Sequence, residues 1–187
     1  MEKKKDLRVI KTRKLLYNTL LELMKDKPFE EIKVADICSN ALVNRSTFYA
    51  HYNDKYELLV DFINDLKTNL LEELEKNKSI VNTKEYYIEM IKLLLDHIYE
   101  KKEIYYSIIL NNRNNFVLDI LLDVATKDIN NRIKDNNINK GNIPNDIVVK
   151  FYLGAVTSIV IEWLRNNKKY SKQNVIEYLE KLIPENI

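Results

Sequence analysis

One short stretch that follows Asn44 holds the side chains best suited to chemistry, and that chemistry is the binding of a polyanion. Arg45, Ser46 and Thr47 fall in the first turn of a predicted helix. Free backbone N–H groups and the positive end of the helix dipole lie at such a turn, and both favour a phosphate group. Lys55 falls in the first turn of the following predicted helix, where its ammonium group is placed for another phosphate. This combination predicts contacts to phosphates and base edges.

Glycine, cysteine and histidine are too few and too scattered for the common catalytic and metal sites. The two glycines, Gly141 and Gly154, lie far apart, which excludes the glycine-rich loops that cradle phosphates in nucleotide-binding folds. A single cysteine, Cys38, excludes a disulfide framework and a thiolate metal cluster within one chain. His51 and His97 are not at ligand spacing. We therefore expect no enzyme, no catalytic residue, no metal and no cofactor.

Two short helices must position the polyanion-binding side chains. The sequence predicts one helix over 34–40 and another over 45–51, separated by the three-residue break 41–43. Two short helices joined by such a break form a helix-turn-helix. In that arrangement the first helix braces the second, and the second lies in the major groove of DNA.

The second of these helices has an inward and an outward side. Asn44 is expected to cap its amino end. Phe48 and Tyr52 are four residues apart, so they share one face and are expected in the core. Tyr49 and His51 then fall on other faces, where they can meet DNA.

Apolar residues recur with the helical period through nearly the whole chain, so we expect an all-α fold of about nine helices. With only 2 glycines and 3 prolines, the chain lacks the turn residues of an all-β fold. We predict a helix-turn-helix DNA-binding domain over 1–56 and a helical effector-binding and dimerisation domain over 57–187. The predicted helices cover 7–26, 34–40, 45–51, the stretch from the Asp54 cap to about 78, 84–100, 102–111, 115–135, 146–167 and 172–183.

Charge is distributed unevenly along the 187 residues, although the net charge is only +2. The first 20 residues hold 7 basic and 2 acidic side chains, the layout expected of a nucleic-acid binder. A lysine-rich, solvated terminus is the alternative. The longest apolar-rich stretch, 151–164, is shorter than the roughly 20 residues of a membrane span, and the charged start does not resemble a signal peptide. We expect a cytoplasmic protein with no membrane partner.

The pattern A-D-I-x-x-x-A-x-V-N-R-S-T-F-Y-x-H-Y-x-D-K-x-x-L, from Ala35 to Leu58, resembles the DNA-binding domain of TetR-family transcriptional regulators. The resemblance extends upstream and covers about a third of the chain; it includes Arg13, Leu16, Leu20 and residues 29–32. It implies an all-helical homodimer with three DNA-reading helices and a carboxy-terminal regulatory bundle. By the same resemblance, DNA contacts come from Arg45, Thr47, Tyr49 and His51, and a phosphate contact comes from Lys55.

Two residues depart from the family pattern. The family usually has glycine in the turn, where this chain has Leu42. If that position requires a positive φ, leucine costs about 1 kcal/mol or more. The family also favours threonine at the cap of the first short helix, where this chain has Lys33, so a cap bond worth about 1 kcal/mol is lost and Lys33 can reach a phosphate instead. The predicted DNA-binding residues are Lys33, Arg45, Ser46, Thr47, Tyr49, His51 and Lys55.

The helix predicted over 146–167 is apolar almost all round, so it must be covered on more than one side. We expect it to form a two-fold four-helix dimer interface with the last helix, and the alternative is a monomer core that wraps it completely. A dimer would read a palindromic operator with half-sites about one DNA turn apart. The predicted interface residues are Phe151, Gly154, Ser158, Ile161, Ile176, Leu179 and Ile183.

Aromatic residues between 84 and 116 can line an apolar cavity with a few polar groups, although ordinary core or surface positions are an alternative. The candidate effector-pocket residues are Tyr86, Met90, His97, Tyr105, Tyr106 and Phe116.

Three functions compete at this point. The sequence favours a dimeric regulator that binds double-stranded DNA, most simply a repressor released by a small-molecule effector. The second is a DNA-binding regulator controlled by a partner protein on the carboxy-terminal bundle. The third, an enzyme, lacks a paired nucleophile and base.

Overall fold

A computed structural model describes residues 7–76, 83–111, 118–120, 122–127, 143–166 and 169–183. These residues are helical or lie in short connections, with no strand among them, so the predicted all-α fold is confirmed. The helices are α1 (Leu7–Asp26), α2 (Val34–Asn40), α3 (Arg45–Tyr49), α4 (Lys55–Lys76), α5 (Thr83–Glu100), α6 (Lys102–Asn111), α7 (residues 118–120 and 122–127), α8 (Asn145–Arg165) and α9 (Lys172–Leu182), and a 3-10 turn covers Phe29–Glu31.

Most helix bounds agree with the predicted ones to within two residues, and α3 is one of the helices that end two residues early. It ends at Tyr49, with Ala50 as its C-cap, two residues before the predicted end. The N–H groups of His51 and Tyr52 still bond to the carbonyl of Phe48, at 2.9 Å each, so the chain stays tied to the last turn of α3. The predicted helix 115–135 and the sequence between it and the next predicted helix fall largely outside the described residues.

Contacts within the chain separate it into two compact units. The first comprises Met1–Asn64 with Glu103–Val117, and the second comprises Asp65–Lys102 with Leu118–Ile187. Helix α4 therefore contributes residues to both. The domain boundary predicted after residue 56 stays a prediction.

The first unit is built on α1, which packs against α2, while α2 packs against α3. Leu16, Leu20 and Met24 repeat every four residues along α1 and form one fully buried stripe. Helix α6 joins this unit through Asn111, whose side-chain amide donates to the carbonyl of Lys25. The other side chains that close this core include Phe29, Ile32, Ile37, Phe48, Leu58 and Leu59.

The second unit packs α9 against α5 and α8. Ser171 caps α9, because its hydroxyl accepts a hydrogen bond from the N–H of Asn174 at 3.1 Å. An ion pair between Lys172 and Asp96 ties the start of α9 to α5. The apolar side chains buried in this unit include Leu95, Ile98, Val160, Trp163, Val175, Ile176 and Leu179.

Candidate nucleic-acid interface

Helices α2 and α3 form the predicted helix-turn-helix, and the turn is closed by a Schellman motif. The N–H of Val43 donates to the carbonyl of Cys38 at 3.0 Å, and the N–H of Leu42 donates to that of Ser39 at 3.3 Å. This motif requires a left-handed residue at its centre, and Leu42 has a φ of 53°. Leu42 is also 93% exposed, so the strain in its backbone is not offset by burial of its side chain.

Helix α2 begins without a side-chain acceptor at its cap, as the lysine at position 33 predicts. The N–H of Lys33 instead donates to the carboxylate of Asp36 at 3.0 Å, and Lys27 donates to the same oxygen at 2.7 Å. The hydrogen bond from Lys27, and then that from the Lys33 backbone, lower the pKa of Asp36. The ammonium group of Lys33 is thus left on the surface, where a phosphate could reach it.

Helix α3 turns its predicted DNA-binding side chains outward and its predicted core side chains inward. Phe48 is fully buried and Tyr52 is 4% exposed, which confirms the prediction that both belong to the core. Tyr49 is 56% exposed. Among the other predicted contacts, Arg45 and Ser46 are exposed and Thr47 and His51 are half-buried. Their contacts to DNA stay a prediction.

Asn44 stands at the cap position of α3, but its side chain makes no cap hydrogen bond. At the start of α4, by contrast, the expected cap hydrogen bonds are formed. The carboxylate of Asp54 accepts from the N–H groups of Tyr56 and Glu57, both at 2.8 Å. The carboxylate of Glu57 reaches back to the N–H of Asn53 at 2.7 Å, so α4 starts at a well-defined point.

The ammonium group of Lys55 lies against backbone carbonyls. It donates to the carbonyl oxygens of Phe29, Glu30 and Ile32 at 2.8, 2.7 and 2.8 Å. An ammonium group has three N–H donors, so this set uses all of them. Burial, and then the charge of Lys27, lower the pKa of Lys55. The predicted phosphate contact of Lys55 stays a prediction, and a phosphate would have to replace one of these carbonyls.

A polar cluster centred on Asp61 of α4 was not predicted. Its carboxylate accepts from Arg13 Nε at 2.9 Å and Nη2 at 2.6 Å, and from the hydroxyls of Tyr17 at 2.5 Å and Tyr52 at 2.6 Å. Burial, helped by the adjacent carboxylate, raises the pKa of Tyr52 to about 12, so its hydroxyl keeps its proton and donates. The one signal in the sequence is a carboxylate inside the apolar run of α4, beside Leu58, Leu59 and Phe62.

The candidate effector-pocket residues divide between the two units. Tyr86, Met90 and His97 are half-buried on α5 in the second unit, and Tyr105 and Tyr106 are half-buried on α6 in the first. Phe116 lies outside the described residues. Burial, with the charge of Lys101, lowers the pKa of His97, and burial raises the pKa of Tyr105. The pocket stays a prediction.

The second unit also contains an open cleft that the sequence did not indicate. Its volume is about 490 Å³. The rings of Tyr99 and Trp163 stack with centroids 6.3 Å apart, and the ammonium group of Lys172 lies 5.8 Å from the Tyr99 ring. The cleft residues come from distant parts of the chain, so no local pattern brings them together; they are Tyr99, Lys102, Trp163, Tyr170, Ser171, Lys172 and Gln173.

One face of α8 is open. Phe151 is 67% exposed, Gly154 and Ser158 are exposed, and Ile161 is half-buried. Beyond its chain neighbours and the backbone of α8 itself, a Cβ atom added at Gly154 would meet nothing within 4 Å. By length and composition alone, α8 could cross a membrane, and only 22% of its apolar window is buried.

The predicted interface residues on α9 and at its C-cap are buried within their own chain, and their place in a dimer interface stays a prediction. Ile176, Leu179 and Ile183 are 6, 2 and 4% exposed, because this side of α9 is covered by α5 and α8 of the same chain. The large apolar side chains that α9 leaves open are Tyr178 and Leu182.

Two family models match the chain. Residues 16–62 match the model described as bacterial regulatory proteins, tetR family. Residues 87–185 match a model described as transcriptional regulator C-terminal region. The first match contains α2, α3 and the turn between them, and the second contains the open face of α8.

Individual relatives agree with the family models. The HTH-type transcriptional regulator YxbF of Bacillus subtilis is 37% identical over 51 residues, which is 27% of this chain and only 13% of that relative. A TetR transcriptional regulator from Streptococcus agalactiae has the same fold, with a TM-score of 0.65, 24% identity and coverage of 95% of this chain and 96% of that one. The regulator FadR from Bacillus subtilis, solved with stearoyl-CoA, has a TM-score of 0.57 at 16% identity, covering 93% of this chain and 98% of that one.

Proposed function

Because the chain belongs to the TetR family of transcriptional regulators, which bind DNA, we propose that it is a dimeric, cytoplasmic repressor that a small molecule releases from its operator. The observation that carries the proposal is the outward side of α3. There Arg45, Ser46 and Tyr49 are exposed on a helix whose other side is buried in the core.

In the proposed complex, α3 lies in the major groove. The guanidinium of Arg45 suits the O6 and N7 acceptors of guanine, and the methyl group of Thr47 suits the methyl group of thymine. Lys33 and His51 flank α3 and meet phosphates, which position the protein without reading sequence. Each phosphate contact releases counterions, so affinity falls steeply as salt rises.

Dimerisation through α8 supplies the second recognition helix. The exposed residues Ile147, Phe151, Gly154 and Ser158 follow the helical repeat and lie on one side of α8. An apolar side of this kind marks a protein interface in a soluble protein. The same side of the second copy covers it, because a two-fold interface pairs identical surfaces. Two α3 helices then read a palindromic site.

Release requires an effector that binds the DNA-free conformation more tightly than the DNA-bound one. The Bacillus subtilis FadR structure holds stearoyl-CoA, which supports a small-molecule effector for a chain of this fold. The cleft beside Tyr99 and Trp163, which the ammonium group of Lys172 also lines, is one site where such a ligand would bind. If no small molecule weakens DNA binding, control by a partner protein on the carboxy-terminal bundle takes its place.

The test is a fluorescence anisotropy titration against an operator duplex that the purified protein has selected from random DNA. Replacing both Arg45 and Tyr49 by alanine should weaken binding at least about tenfold, since one bidentate base contact is worth about 1–3 kcal/mol. Arg165→Ala is the control, because it removes the same charge from an exposed position on α8. Equal affinity of the double variant and the wild type would contradict the proposal, as would binding that salt does not weaken.

A further inference from the structure

The cluster around Asp61 joins three segments of the first unit at one carboxylate. Arg13 and Tyr17 come from α1, Tyr52 follows α3, and Asp61 belongs to α4. Two nitrogens of the Arg13 guanidinium donate to different oxygens of the Asp61 carboxylate, Nε to Oδ2 and Nη2 to Oδ1. Such paired contacts fix orientation as well as distance.

The carboxylate is close to saturated. It accepts four hydrogen bonds, three of them at Oδ2, from Arg13 Nε and from the hydroxyls of Tyr17 and Tyr52. Each carboxylate oxygen offers about two lone-pair sites, so the three donors at Oδ2 fill that oxygen, and Oδ1 accepts from Arg13 Nη2. Burial by itself raises the pKa of Asp61, but the hydrogen bonds from Tyr17, Tyr52 and Arg13 outweigh it and hold the pKa below its ordinary value. The side chain therefore stays ionised and its bonds are charge-assisted.

Tyr52 connects this cluster to the recognition helix. Its N–H bonds to the carbonyl of Phe48 at 2.9 Å, and its ring lies 5.7 Å from the Phe48 ring. The backbone of Tyr52 is thus fixed to the last turn of α3, while its hydroxyl is fixed to α4. Because α3 has only five residues, it has little packing surface of its own with which to set its angle.

We propose that Asp61 is a positioning residue for DNA recognition, whose carboxylate sets the angle at which α3 presents its exposed side chains to the bases. The proposal rests on the proposed function. The side chains of Asp61 and Arg13 are largely covered, at 29% and 22% exposed. Loss of the cluster therefore alters base reading, which depends on the angle of α3, more than phosphate binding, which tolerates small shifts.

The experiment compares an operator duplex with a scrambled duplex of equal length, for the full-length protein and for Asp61→Asn. We expect Asp61→Asn to weaken operator binding about tenfold, the scale of a lost charge-assisted network, while affinity for scrambled DNA and the salt dependence stay close to those of the wild type. Asp65→Asn is the matched control, because Asp65 lies one turn further along α4, bonds only locally to Asn69 among the described contacts, and loses the same charge. For Asp65→Asn, the ratio of the affinity for operator DNA to the affinity for scrambled DNA should equal that of the wild type.

Tyr52→Phe keeps the ring and removes one hydroxyl, so it should lower the ratio of operator to scrambled-DNA affinity by a smaller factor than Asp61→Asn does. If Asp61→Asn does not fold, Tyr52→Phe tests the positioning role in its place. A wild-type ratio retained by Asp61→Asn, or by Tyr52→Phe in its place, overturns the positioning role and leaves the proposed function intact. Equal losses on both duplexes also overturn it, since they indicate a purely structural role. A wild-type protein that binds both duplexes equally would instead overturn the proposed function, and this proposal with it.

Discussion

Leu42 holds a backbone conformation that its side chain disfavours. At a φ of 53°, its Cβ crowds the following carbonyl, at a cost of about 1–2 kcal/mol. Glycine relieves this strain but gains about 0.5–1 kcal/mol of freedom in the unfolded chain. Leu42→Gly should therefore raise the free energy of unfolding by about 0.5–1 kcal/mol, measured by urea denaturation. Leu42→Ala keeps the Cβ atom and should gain nothing; a Gly variant no more stable than the Ala variant would contradict this reading.

Single residues were predictable where the information is local. Phe48 and Tyr52 are four residues apart on one helix, and a positive φ at position 42 follows from the turn it occupies. Asp61 was not predictable, because its partners Arg13 and Tyr17 lie 48 and 44 residues away. The helical period identifies an unusual carboxylate in an apolar stripe, but it does not identify the donors that meet it.

Lys55 joins two elements, the 3-10 turn Phe29–Glu31 and the start of α4. Its three hydrogen bonds run from α4 to the carbonyls of Phe29, Glu30 and Ile32, and the Phe29 carbonyl also accepts the turn's own bond from the N–H of Ile32 at 3.1 Å. Lys55→Met keeps the length of the side chain and removes the donors, so we expect the free energy of unfolding to fall by about 2 kcal/mol. Lys14→Met, at an exposed position on α1, is the control and should change it by less than about 0.5 kcal/mol. Equal stability of the two variants in urea titrations would mean that the three bonds contribute nothing.

At the scale of elements, the helical spacing of apolar residues predicts which side of a helix is apolar, but it does not predict which other element covers that side. Ile176 and Leu179 form the apolar stripe of α9, and the sequence was interpreted as placing them against a second chain. Helices α5 and α8 of the same chain already bury them, and their place in a dimer interface stays a prediction. Helix α3 also ended earlier than its pattern indicated, because a five-residue helix has too few residues for the period to define its end.

For the whole molecule, Gly154 tests the dimer without disturbing the chain. Gly154 is exposed, and a Cβ atom there meets nothing within 4 Å beyond its chain neighbours and the backbone of its own helix, so Gly154→Trp should leave the fold intact and separate two α8 helices that approach closely. Analytical ultracentrifugation should then give a mass near that of one chain, 22.3 kDa, where the wild type gives twice that value.

The control for this substitution is Glu100→Trp, which adds the same ring at an exposed position on α5. It should sediment as the wild type does. A Gly154→Trp protein that remains dimeric would place the interface elsewhere, and a monomeric wild type would remove the dimer altogether.

Sequence-specific recognition by paired α3 helices is tested most directly by sequencing the DNA fragments that the purified wild-type protein retains from a random pool. The expected result is one recurring inverted repeat, with half-site centres about 10 base pairs, or one helical turn, apart. The same pool should yield no such repeat with the protein in which Arg45 and Tyr49 are replaced by alanine. Retained fragments that share no sequence, or the same repeat from both proteins, would contradict a DNA-reading role for this face of α3.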